Sequence, residues 1–295
     1  MKEKTAYFSF IREDGRVPNC VQYGVDGFGH QLEGTFGLVA MHICGKINYV
    51  FDLPVDYSFA HENVDETCVK YMQYAMQKLS QIFPTEQELN TLKTEHVRET
   101  WKIPKDFKDD IIYSLDNAFY EPLEQLEQAS DVLKKAFRAN PYLPTPSYDL
   151  TKNNIVVHIR LGDAWLRRIP HEAPLKLSGK QKKSRVKEEL NTLYKMLSDY
   201  QANKNNNITI HTDGDISIRE SENLKIFNKN THVLQVLSDF IHAKTLVLSY
   251  SSLGLAATWL ADRSIELIPP DHLNPYTKKT KTQVGISRRV RKLLK

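Results

Sequence analysis

The run Ile155-Val156-Val157-His158-Ile159-Arg160-Leu161-Gly162-Asp163 starts apolar, turns polar towards its end and reaches a glycine. Alternate side chains of a strand share a face, so His158 and Arg160 point one way while Val157, Ile159 and Leu161 point the other. Gly162 then lets the backbone turn sharply without a Cβ penalty. Open α/β sheets bind ligands at the carboxyl ends of parallel strands, and a guanidinium fixed there suits a diphosphate. Arg160 is therefore the principal candidate phosphate ligand. His158 bonds a phosphate or ribose oxygen or braces Arg160, and Gly162 and Asp163, in the turn, are further candidate donor-binding residues. An interior strand that simply ends in a surface loop carries the same residue types.

Ser249-Tyr250-Ser251-Ser252 follows an apolar strand and opens a helix. Hydroxyls and unpaired amides at a helix N-terminus attract anions, which makes Ser249, Ser251 and Ser252 candidates for a second set of phosphate contacts. An ordinary N-cap serine is the competing reading. His211-Thr212-Asp213-Gly214-Asp215 ends another strand with carboxylates at D-x-D spacing, and Asp239 precedes Phe240 as a ligand contact or a cap of the following turn.

These residues need a sheet to position them. From residue 155 onward strand and helix patterns alternate: strand Ile155–Arg160, helix Lys187–Gln201, strand Ile208–His211, helix Val233–Ala243, strand Thr245–Leu248, helix Ser252–Ala261 and strand Ile265–Leu267. Such alternation predicts a parallel sheet wound with helices, an α/β fold. The basic connection Ala164 to Arg185 is long enough to be a lid or a mobile segment. Upstream, strand Ala6–Ile11, a glycine-rich loop, a helix over Gln31–Cys44 and strand Ile47–Phe51 make one βαβ unit. Gly24, Gly27, Gly29, Gly34 and Gly37 crowd this stretch in a chain with 12 glycines. Gly34 and Gly37 fit close helix–strand packing as well as a ligand, whereas Gly27 and Gly29 fit a ligand-facing loop ahead of the helix. Residues 65 to about 140 read as helical throughout, near Asp65–Phe83, Thr85–Thr100 and Asp109–Ala139. The prolines of Asn140-Pro141-Tyr142-Leu143-Pro144-Thr145-Pro146 end that pattern and mark an interdomain linker, dividing the chain into residues 1–145 and 146–295.

Three segments in order resemble a known superfamily. His158-Ile159-Arg160-Leu161-Gly162-Asp163 resembles the HxRxGD motif of the α-1,2-, α-1,6- and protein-O-fucosyltransferases. Gly27-Phe28-Gly29-His30-Gln31 is similar to their N-terminal G-x-G-x-Q loop. Ser238-Asp239-Phe240, Leu248-Ser249-Tyr250-Ser251-Ser252 and Ala256-Ala257-Thr258-Trp259-Leu260 are together similar to their third motif. The resemblance implies the GT-B architecture: two Rossmann-like domains facing each other across a cleft, here with a helical insertion in the first. It also implies metal-independent, inverting transfer from a nucleotide-sugar donor to a glycan or glycoprotein acceptor, with no further cofactor. On that basis Gly27, Phe28, Gly29, His30 and Gln31 form the acceptor-side cleft loop, and Asp213 and Asp239 contact the nucleoside. Inversion calls for a base from the first domain, and Asp26, His30, Glu33 and Asp52 are eligible. A solvated surface carboxylate is the alternative for each acid among them. A metal at Asp213 and Asp215 would require both carboxylates to converge on a divalent ion and is the minority reading. Two departures bear on the donor: Leu161 stands where many members have a second arginine, and Leu253-Gly254 where aromatic residues are common. GDP-fucose leads, and a donor of the UDP-xylose type is the alternative. A non-catalytic protein that binds nucleotide sugars or glycans, or an adaptor acting through its basic tail, is the reading from another class.

Composition narrows the class further. With 295 residues, 41% of them hydrophobic, the chain can build two real cores. No apolar run reaches the length of a membrane span, and Met1-Lys2-Glu3-Lys4-Thr5 leads directly into a strand pattern, so a cytoplasmic protein without signal peptide or anchor is expected. Cys20, Cys44 and Cys68 are an odd number without C-x-x-C spacing, which argues against a disulfide framework and a structural zinc. The net charge of +4 hides a basic end, Lys278, Lys279, Lys281, Arg288, Arg289, Arg291, Lys292 and Lys295. An amphipathic helix docked on the body, with weak membrane-surface association, fits that pattern better than nucleic-acid binding, because no aromatic-rich RNA motif accompanies it.

Overall fold

The structure is a computed structural model that describes residues 7–9, 28–44, 48–49, 65–82, 93–97, 111–115, 123–160, 191, 193–249, 251–262 and 264–268. These fall into two compact units, the first ending at Pro144 and the second beginning at Thr145, with Ala256–Leu260 grouped with the first.

In the first unit, β1 (Tyr7–Ser9), α1 (Phe28–Ile43) and β2 (Asn48–Tyr49) form the expected βαβ unit. It is followed by α2 (Glu66–Leu79), β3 (Lys93–Val97), β4 (Ile111–Leu115) and α3 (Leu123–Leu133), which runs into a π turn, Lys134–Arg138. The four strands make a parallel sheet in the order β2-β1-β4-β3. The expected all-helical insertion is therefore corrected. Ile111-Ile112-Tyr113 is β-branched and aromatic, suited to a pleated surface, and β4 pairs on both sides, with Ile112 beside Tyr7 and Thr94.

The helix α2 is capped by Asp65, whose carboxylate accepts from the Thr67 amide at 2.8 Å. It buries Cys68, Tyr71, Met72, Ala75, Met76 and Leu79, the stripe a 3.6-residue period puts on one face. Tyr71 and Phe28 lie 5.8 Å apart, and Phe36 meets Phe137 edge-on at 4.8 Å. Burial of Phe28 carries α1 back to that residue, so Phe28, Gly29, His30 and Gln31 form the helix's first turn and not the expected loop. Asn140 closes the segment: its side-chain amide donates to the Tyr71 carbonyl at 2.8 Å, and Tyr142 N–H returns to its Oδ1 at 3.0 Å.

The second unit comprises β5 (Asn153–Ile159), α4 (residues 193–202), β6 (Asn206–Thr212), β7 (Leu224–Phe227), α5 (Val233–His242), β8 (Thr245–Val247), the start of α6 (Ser252–Leu260), whose residues from Ala256 on group with the first unit, and β9 (Glu266–Ile268). Its five strands are all parallel, in the order β7-β6-β5-β8-β9, an α/β sheet of Rossmann-like type. The strand period of two sorts the side chains as expected. Ile155, Val157, Ile159, Ile208, Ile210 and Val247 join Leu193 and Leu197 of α4 in one apolar cluster, which leaves the other face to His158 and His211 with α5 against them.

Cys44 and Cys68 are free thiols, and burial pushes Cys68 up to about 12. Among the described residues no helix is long and apolar enough to cross a membrane. Cys20 and the basic end lie outside the described residues.

Candidate functional site

The chain lays down β5, β6 and β7 to one side, then crosses back to β8 and β9 on the other. The strand order thus reverses between β5 and β8, where doubly wound sheets open a crevice at their carboxyl ends. The side chains singled out from the sequence meet there. Ser249, just past β8, is hydrogen-bonded to His158 Nδ1 at 3.1 Å across the reversal point. Ser251 is buried beside it, and its carbonyl accepts the first helical bond of α6 from Leu255 N–H at 3.0 Å, which puts Ser251 at the N-cap position and Ser252 in the first turn. Gly254 follows in that turn. A Cβ there would lie 3.1 Å from Leu248 Cδ2 and 3.8 Å from His158 Nδ1, so the Leu248 side chain would have to give by a few tenths of an ångström to admit one.

On the other flank of β5, Arg160 Nε stands 3.8 Å from Asp213 Oδ2 beyond the end of β6, with side chains 27% and 36% exposed. The turn carrying Asp213 is fixed by Thr212, whose hydroxyl donates to the Gly214 carbonyl at 3.0 Å and accepts its N–H at 3.2 Å. The mouth therefore presents a half-open guanidinium on one side and serine hydroxyls with a helix N-terminus on the other, a constellation able to hold a dianionic group. Desolvation, aided by the charge of Arg160 and by His211, drives His158 down to about 3. At neutral pH His158 is uncharged and engaged with Ser249, the geometry of a brace.

Asp239 is placed differently from its expected role. It is fully buried, and its carboxylate accepts from Ser147 N–H (2.7 Å), Ser147 Oγ–H (2.7 Å), Gln235 Nε2 (3.0 Å) and His211 Nε2 (2.8 Å), two donors on each oxygen. With its oxygens so occupied it offers no edge to a nucleoside, and the contact expected of it is corrected to a packing node. His211, which carried no assignment in the sequence, is its partner. Register pairs His158 with His211 on adjacent strands, and both rings lie against Phe240, at 5.1 and 5.6 Å. Two histidines at equal distances from the ends of paired strands were the available signal.

Glu33 sits in α1 of the first unit, partly buried. Asp26, Gly27, Asp52, Gly162 and Asp163 lie outside the described residues, as do the side chains of His30 and Gln31.

No protein-family model matches the chain, and no curated protein or solved structure matches it.

Proposed function

We propose that the chain is a metal-independent, inverting glycosyltransferase of GT-B architecture whose second Rossmann-like domain holds a nucleotide-sugar donor at the β5/β8 mouth. The observation that carries this reading is the meeting of Arg160, the His158–Ser249 hydrogen bond and the N-terminus of α6 at the strand-order reversal. Supporting it, the motif segments that resemble the fucosyltransferases are the same ones that supply these side chains.

In this reading the charge that develops on the departing diphosphate is met by the Arg160 guanidinium, the Ser251 and Ser252 hydroxyls and the N-terminal amides of α6. His158, neutral, orients Ser249 without competing for the anion. The donor is GDP-fucose or, given Leu161 and Leu253-Gly254, one of the UDP-xylose type. The acceptor is a hydroxyl of a glycan or glycoprotein bound on the side of the first domain, its proton taken by Glu33, Asp52 or Asp26.

Arg160→Ala tests the reading. It removes the main charge partner of the departing diphosphate, so turnover falls by at least about a hundredfold while the chain still folds, as thermal unfolding checks. Full activity in that variant would overturn the assignment.

A further inference from the structure

The Asp239–His211 pair lies in the fold with no part in the reaction just described, and its chemistry does not look like packing alone. Both side chains are buried, 0% and 3% exposed. The carboxylate already accepts the Ser147 hydroxyl on the oxygen that faces His211, so the proton between them sits on His211 Nε2. That puts a ring proton on Nε2, while Nδ1 is buried with no hydrogen-bond partner among the described residues. Burying a polar pair with an unsatisfied atom costs stability relative to an apolar replacement of the same shape. The neighbours would accept such a replacement, since His211 is stacked on Phe227 at 5.1 Å and meets Phe240 edge-on.

What the pair secures is orientation. Asp239, itself on α5 and steadied there by Gln235, ties that helix to the start of the second unit through both polar groups of Ser147. His211 ties β6 to that node at its last turn of ladder, two residues before Asp213. Thr212, between them, locks the following turn through Gly214. Asp213 then meets Arg160 at the mouth.

We propose that Asp239 and His211 are positioning residues that hold the end of β6, and through Asp213 the Arg160 guanidinium, in the arrangement that receives the anionic group of the ligand. The proposal rests on the anion-site reading of the mouth and adds the residues that govern it from beneath.

The test is calorimetric titration with inorganic pyrophosphate, well below each variant's melting temperature. Asp239→Asn keeps the shape of the node but faces His211 with an amide, and His211→Phe keeps the ring without the hydrogen bond. Each lowers pyrophosphate affinity about tenfold, the scale on which outer-shell positioning partners act. In an Arg160→Lys background neither changes affinity by more than about twofold, because the effect travels through Arg160. Should Asp239→Asn fail to fold, His211→Phe carries the test, its phenyl ring filling the slot between Phe227 and Phe240. Affinity unchanged in the variants, whatever their melting temperatures, would reduce the pair to packing and overturn the proposal, as would full additivity with Arg160→Lys. Absence of pyrophosphate binding by the wild-type chain would instead overturn the anion-site reading, and the positioning role with it. Nitrogen NMR shifts of His211 report the Nε2–H form independently of binding, and a ring protonated at Nδ1 alone would contradict the geometry.

Discussion

His158 shares one sheet face with Arg160 and His211, and its desolvation there lowers its pKa from 6.5 to about 3. The unfolded chain takes up a proton at this residue as the pH falls through 6.5, while the folded chain does not until about 3. Its stabilising effect is therefore complete above 6.5 and is lost progressively between 6.5 and 3. The melting temperature falls as the pH is lowered from 6.5 to 4, and His158→Gln, which cannot titrate, shows a shallower fall; equal slopes in the two proteins would contradict the assignment. The same neutrality bears on mechanism. A neutral imidazole supplies no positive charge to a diphosphate, so the electrostatic demand of the mouth rests on Arg160 and the helix N-terminus.

At the scale of elements, the first unit is organised around a ring of aromatic side chains shared by α1, α2 and the π turn. Phe137 meets Phe36 edge-on at 4.8 Å and Tyr71 at 6.0 Å, and its carbonyl accepts the buried Tyr71 hydroxyl at 2.9 Å. Truncation of a phenylalanine so enclosed costs about 3–5 kcal/mol. Phe137→Ala therefore lowers the denaturant midpoint strongly, and a change below about 1 kcal/mol would mean that the cluster does not hold these helices. The second unit was largely legible in the sequence because its strands are β-branched runs bounded by polar turns and its helices alternate with them. Both histidine and arginine fell on the face assigned from strand periodicity. Two kinds of element escaped. β3 and β4 lie among charged residues whose spacing also fits a helix, and only sheet pairing decides between them; β7, Leu-Lys-Ile-Phe, is a short edge strand with one charged side chain. The first turn of α1 reads as a loop in the sequence because its glycine signals a break, while burial of Phe28 is a tertiary effect. The Asp239–His211 pair joins residues 28 positions apart, and nothing local announces it.

For the whole molecule, the proposed donor site lies in the second unit, where Arg160, Asp213, Ser249, Ser251 and Ser252 collect at one end of a parallel sheet. On the proposed reading side chains and helix amides meet the diphosphate charge, and the expected outcome is transfer that persists in EDTA; a complete loss that manganese restores would instead promote Asp213 and Asp215 to metal ligands. The most direct measurement is metal-free calorimetry of GDP, UDP, GDP-fucose, GDP-mannose, UDP-xylose and UDP-glucose against the wild-type chain and Arg160→Ala. The account predicts that one nucleotide class binds the wild-type chain and that Arg160→Ala loses most of that affinity. Binding of none of the six, or equal binding by both proteins, would contradict it.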